Sequence, residues 1–129
     1  MRKLLFLLFI GLMAGFSQCG KKLSDQELMS KAREAESQGK ANEALKYYEE
    51  LVDHFPNSNQ HALALFMAGF LNANSDNKDL NKARKYYLDF KAKYPQHELT
   101  KSVDFELQNL GKDPGEMLAA PDHPPQSKN

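Results

Sequence analysis

The sequence predicts an all-α fold of about five helices, arranged as two helix hairpins and a C-terminal closing helix. Three observations carry this. Between residues 24 and 110 apolar side chains recur at helical spacing, no stretch alternates apolar and polar residues as a half-buried strand does, and one segment returns 39 residues later.

Each element has its own signals. Ser24-Asp25-Gln26-Glu27 has the spacing of a capping box, so the first helix should start there. Leu28, Ala32 and Ala35 lie on one of its faces, Glu27 and Lys31 form an i,i+4 pair, and Gly39 can take the left-handed conformation that ends a helix. A second helix is expected from about Asn42 to His54, with Ala44, Leu45, Tyr48, Leu51, Val52 and Phe55 on or near its buried face and Pro56 as its stop.

Ser58-Asn59 offers a cap for a third helix through Leu63, Leu65, Phe66, Met67, Phe70 and Leu71. The polar run from Asn72 to Asp79 reads as a loop, and Asp79 as the cap of a fourth helix from Leu80 to about Tyr94, closed by Pro95. A fifth helix from about Glu98 to Leu110 carries Val103, Phe105, Leu107 and Leu110, with Gly111 as its stop.

The repeat is specific. Ala44-Leu45-Lys46-Tyr47-Tyr48, followed by Phe55-Pro56, returns as Ala83-Arg84-Lys85-Tyr86-Tyr87, followed by Tyr94-Pro95. In this register Tyr48 and Tyr87 take the packing position, which leaves Tyr47 and Tyr86 partly exposed. Ala followed by an aromatic four residues on and then by Pro resembles the second half of the tetratricopeptide pattern, over roughly residues 24–110. Gly69 stands at that family's first-helix glycine in the second unit, and Ala32 replaces it in the first. The resemblance implies stacked helix pairs, with the fifth helix closing the second pair.

It also implies a binding surface, because in such folds the first helix of each pair lines a concave groove. The third helix is apolar nearly all round from Ala62 to Leu71, and the family register turns Leu63, Phe66, Phe70 and Asn74 toward that groove. The alternative is that the fifth helix and the C-terminal tail cover these residues.

The N-terminus has a different character. Arg2 and Lys3 precede an apolar run from Leu4 to Phe16, the layout of a secretory signal. That run is shorter than the about 20 residues a membrane-spanning helix needs. Phe16-Ser17-Gln18-Cys19 resembles the lipobox of bacterial lipoproteins, with Phe16 in place of the usual Leu and Gln18 in place of a small residue. The resemblance makes Cys19, the single cysteine, the lipid-attachment site and first mature residue. The chain then divides into a signal peptide (1–18), a lipid-anchored linker (19–23), a helical domain (24–111) and a flexible polar, Pro-rich tail (112–129).

Charge excludes one class of partner. The chain has 17 basic and 17 acidic side chains, and loss of Arg2 and Lys3 with the signal leaves it close to neutral, without the basic balance that attracts nucleic acid. His54, His61, His97 and His123 stand in separate segments as surface or helix-end residues, so neither a metal site nor a catalytic one is expected. No glycine-rich phosphate loop is present and no cofactor is implied.

A lipid anchor followed by helix pairs ending in Phe-Pro or Tyr-Pro is similar to the envelope-assembly and Tol-Pal accessory helical-repeat proteins of bacteria. The function expected is therefore that of a non-enzymatic scaffold, lipid-anchored in the cell envelope on the periplasmic side of the outer membrane, with an envelope protein or peptide as partner. A small-ligand carrier or enzyme accessory subunit, with a pocket between the helix pairs, is the alternative. A purely structural spacer is a third.

Overall fold

The computed structural model describes residues 22–113. They form five helices: α1 (Asp25–Ser37), α2 (Ala41–His54), α3 (His61–Asn74), α4 (Leu80–Lys93) and α5 (Thr100–Asn109). No strand occurs among the described residues. The signal, Cys19 and nearly all of the expected tail lie outside them. Among the described residues no helix is long and apolar enough to cross a membrane.

Local chemistry sets most of the helix ends. Ser24 Oγ accepts from the Glu27 backbone N–H at 3.2 Å, and the Ser24 N–H donates back to Glu27 Oε2 at 2.8 Å, which satisfies two donors that the first turn of α1 leaves open. Gly39 has φ +70°, which lets the backbone N–H of Gly39 and of Lys40 return to the last carbonyls of α1. Asp79 Oδ1 accepts from the Lys82 N–H at 3.0 Å and starts α4 as expected.

Two boundaries differ from the expectation. Ser58-Asn59 does not cap α3, whose N-cap is Gln60 with no side-chain bond. The Ser58 hydroxyl is already engaged, donating to Asp25 Oδ2 at 2.6 Å and accepting from the Gln60 N–H, so it ties the start of α1 to the α2–α3 turn. At its other end α3 runs through Asn72 to Asn74 where a loop was expected. Asn72 is buried, and its amide donates to the Ala68 carbonyl at 2.8 Å, one turn back, so a polar residue stays inside the helix with its donor satisfied.

The repeat is structural as well as sequential. After α2 the Ser58 N–H returns to the Phe55 carbonyl and the His61 N–H to Ser58; after α4 the His97 N–H returns to Tyr94 and the Thr100 N–H to His97. These are the same two turns 39 residues apart, and Phe55 and Tyr94 share φ −128° with ψ 57° and 55°. The second turn also delays α5 to Thr100, whose hydroxyl donates to the Tyr94 carbonyl.

The helices enclose two cores. The first joins Leu28, Ala32 and Ala35 of α1 to Ala44, Tyr48 and Leu51 of α2 and to Ala64, Ala68 and Leu71 of α3. The second joins Ala62 and Leu65 of α3 to Ala83, Tyr87 and Phe90 of α4 and to Val103 of α5. Val52 and Tyr86 pack against both cores. Tyr47 and Tyr86 are half-buried and Tyr48 and Tyr87 fully buried, as the repeat register requires.

Candidate functional site

Leu63, Phe66, Phe70 and Asn74 lie three and four residues apart along one flank of α3 and do not share one environment. Leu63 is half-buried against the first core. Phe66 is half-buried against the second, its ring 6.2 Å from that of Tyr87 and 6.3 Å from that of Phe70. Phe70 is 36% exposed, and Asn74 is also open to solvent. The structure therefore brings Phe70 and Asn74 to an open surface and ties Leu63 and Phe66 to the interior.

That surface is a cleft of about 540 Å³ between the C-terminal half of α3, the α3–α4 loop with Leu80, and the C-terminal half of α5. α5 stands beside Phe70 and Asn74 without covering them. Phe105 and Asn109 of α5 line the opposite wall, and the two walls are built alike. Asn74 Nδ2 donates to the Phe70 carbonyl at 2.9 Å, and Asn109 Nδ2 donates to the Phe105 carbonyl at 2.8 Å. Each wall thus presents an aromatic ring and, one turn on, an amide; Asn74 Oδ1 remains as an acceptor, whereas Asn109 Oδ1 accepts from Lys112 Nζ at 3.4 Å.

Phe105 is 57% exposed, so it belongs to this wall and not to the buried face of α5. The signal that locates it is the 39-residue spacing carried one helix further. That spacing maps Ala64, Ala68 and Leu71 of α3 onto Val103 and Leu107 of α5 and Leu110 just past its end, which keeps the inner face apolar, and it maps Phe66 onto Phe105. It also maps Ala62, Leu65 and Gly69, which meet α4, onto Lys101, Asp104 and Gln108. α5 therefore has a polar outer face where a following helix would pack, and Asp104 turns back to pair with Lys91 at 2.5 Å.

Glu106 lines the cleft, whereas Tyr87 does not and is buried in the second core. Burial pushes the Glu106 carboxyl above its ordinary range. The buried Tyr87 hydroxyl has no hydrogen-bond partner among the described residues, whereas Tyr48 O–H donates to Glu36 at 2.8 Å and Tyr86 O–H to Glu49 at 3.1 Å. The helix-A register of the two units puts Ala73 where α1 has Glu36, so the residue that would satisfy Tyr87 is replaced by a methyl group on the cleft wall. Burial, and then the charge of Glu106, raise the Tyr87 hydroxyl pKa.

A paired substitution reads this difference. Tyr48→Phe should cost about 1 kcal/mol by removing a made hydrogen bond, while Tyr87→Phe should be neutral or stabilising because it removes an orphaned donor. Urea midpoints of the two variants check it, and a larger loss for Tyr87→Phe would mean that its hydroxyl has a partner.

Of the described histidines, His61 and His97 both pack against the Tyr94 ring, 5.8 and 6.0 Å from it. His61 stands at a helix end, as one of the expected placements has it, and is buried there at the start of α3, with Nδ1 2.9 Å from the Tyr94 hydroxyl; burial, and then the charge of Lys93, hold its pKa below the ordinary value. Among the described residues no group of three or more His, Cys, Asp or Glu side chains could hold a metal ion.

Comparison with curated proteins and with solved structures gives no match. The tetratricopeptide repeat family model matches residues 28–58 and again residues 63–97. The first match covers most of α1 and all of α2, the second most of α3, all of α4 and the turn after Tyr94. Two matched helix pairs spanning half of the sequence, each followed by a turn of the same geometry, make this chain a member of the tetratricopeptide repeat family.

Proposed function

We propose that this chain is a membrane-tethered protein-interaction module of the bacterial cell envelope, lipid-anchored through Cys19, that docks a segment of a protein partner in the cleft between α3 and α5. Tetratricopeptide repeats serve protein–protein interaction, and the family match supports that class of function over catalysis. One observation carries the placement: two successive first-of-pair helices present matching ring-and-amide walls, Phe70 with Asn74 and Phe105 with Asn109. An apolar side chain of the partner would sit between the rings, and a backbone donor would meet the Asn74 amide oxygen, the Asn109 oxygen already accepting from Lys112. The open walls favour docking of a polypeptide over a carrier pocket that closes around a small ligand.

The anchor and the envelope setting rest on the sequence alone. The basic start, the short apolar run and Cys19 support an exported lipoprotein, and the Phe-Pro and Tyr-Pro helix ends support a role beside the outer-membrane assembly and Tol-Pal accessory proteins. More than one acyl chain on Cys19 would make the tether lasting, since each buried methylene contributes about 0.8 kcal/mol.

The test is affinity capture from detergent-solubilised envelopes. The wild-type chain should retain a specific envelope protein, and the Phe70→Gln, Phe105→Gln double variant should retain it about tenfold less, the loss of one dominant contact side chain. Both changes are at exposed sites, so the thermal melt should be nearly unchanged. Equal capture by both would remove the site from this cleft. Separately, Cys19→Ser should release the chain from the membrane fraction or stall its processing; unchanged fractionation, with no acyl mass on the mature N-terminus, would overturn the anchor.

A further inference from the structure

Six carboxylates are half-buried among the described residues, and five of them are engaged. Asp25 accepts from Ser58, Glu36 from Tyr48 and Glu49 from Tyr86; Asp79 caps α4, and Asp104 pairs with Lys91. Glu106 is the sixth, and among the described residues no hydrogen bond or ion pair engages its carboxylate.

Its position is unfavourable for an unpaired negative charge. Burial withdraws the carboxylate from water, and the last turn of α5 adds the negative end of the helix dipole. α5 supplies no cation to offset either. Its last turn holds no basic residue, and the positions three and four away from Glu106 are Ser102, Val103, Asn109 and Leu110.

Glu106 lines the cleft between α3 and α5, and the groups that share the lining suit a cation. Phe70 and Phe105 are exposed aromatic rings, whose faces carry partial negative charge, and Asn74 Oδ1 is a free acceptor. A lysine or arginine side chain answers all of these at once, because its methylene stem covers apolar surface while its head supplies donors and the missing positive charge. Lys78 and Lys112 also line the cleft, past the C-terminal ends of α3 and α5, and Lys112 is turned to Asn109. Their charges oppose a second cation, so the cleft suits one basic residue and not a basic run.

We infer that the cleft selects a partner segment presenting a single lysine or arginine among apolar residues, the stem lying between Phe70 and Phe105 and the charged head meeting the Glu106 carboxylate. The inference rests on the reading of the cleft as the partner groove and gives that partner its charge.

The experiment titrates the full-length chain, purified in detergent, with three blocked tripeptides that differ only at the centre: acetyl-Ala-Lys-Ala-amide, acetyl-Ala-Arg-Ala-amide and acetyl-Ala-norleucine-Ala-amide. Norleucine keeps the lysine stem without its ammonium. Amide NMR shifts of the cleft residues report binding, which should be about tenfold tighter for the lysine and arginine peptides, the worth of one charge-assisted contact. Glu106→Gln, a neutral isostere, should abolish that preference without lowering the thermal melt, and the lysine peptide should lower the pH at which the wild-type Glu106 carboxyl titrates. Equal binding of the norleucine peptide, a preference that survives in Glu106→Gln, or no shift of the cleft residues with any peptide would overturn the inference. Envelope capture by the same chains separates it from the groove itself. Capture lost in the Phe70→Gln, Phe105→Gln variant but kept in Glu106→Gln would leave the groove standing and remove its selectivity, whereas equal capture by wild type and both variants would remove the groove and the selectivity together.

Discussion

Phe90→Ala should cost about 3–5 kcal/mol, the usual penalty for truncating a fully buried aromatic. The side chain is fully buried in the second core, its ring 5.6 Å from that of Tyr94 and 5.5 Å from that of His97 in an edge-on arrangement. Nothing nearby is free to fill the space. Tyr94 is held by the His61 contact at 2.9 Å, and the His97 ring nitrogen accepts the Leu99 N–H at 3.1 Å. A domain of this kind is stable by about 5–15 kcal/mol, so the variant should lose a large part of its margin. Phe105→Ala, at a site 57% exposed, should stay within about 0.5 kcal/mol. Urea titrations followed by helical circular dichroism compare the two, and similar losses would put Phe105 in the core and remove one wall of the cleft.

The second large effect is expected at Gly69. Helix propensity alone would favour Gly69→Ala by about 1 kcal/mol. Packing opposes it. A Cβ at this position would lie 2.6 Å from Tyr87 Cε1 and 2.8 Å from Cδ1, and the Tyr87 ring is fully buried with no room to retreat. Overpacking of about 1–3 kcal/mol should therefore outweigh the propensity gain, making Gly69→Ala a net loss and Gly69→Leu a loss of about 3 kcal/mol or more. Pairing Gly69→Ala with Tyr87→Leu should recover part of the loss, because the second change removes the ring that the methyl strikes. A stabilised Gly69→Ala protein would show that the helices can separate at no cost, against the close approach of α3 and α4.

Helix number, the two hairpins and most helix ends were legible in the sequence because they depend on neighbours in the chain. The capping box at Ser24, the left-handed Gly39 and the caps before Leu80 act within a few residues, and each is found as expected. The errors share a cause. Ser58 could not be recognised as engaged because its partner, Asp25, lies 33 residues away, and Asn72 reads as a loop residue until its burial beside the Ala68 carbonyl is seen. For the candidate site the family register turned Leu63, Phe66, Phe70 and Asn74 to one flank of α3, yet flank is not exposure. Whether Phe66 or Phe70 is open depends on where the Tyr87 ring lies, which periodicity does not encode. The α5 wall was visible in principle through the match of Phe66 to Phe105 and was hidden by reading α5 only as a cap.

α5 contributes a single fully buried side chain, Val103, whereas α2 and α4 contribute three each. In a quasi-linear array a terminal helix with so little buried contact opens at lower free energy than the helices it stacks upon. Amide hydrogen exchange should consequently be fastest in Thr100–Asn109 and slowest near Tyr48, Leu51 and Tyr87. One wall of the cleft is thus expected to be the least stable of the five described helices, and the other belongs to the helix shared by both cores. Anything seated between Phe70 and Phe105 would bridge the firm wall to the yielding one, so occupancy of the cleft and folding of its last helix are the same equilibrium seen from two sides.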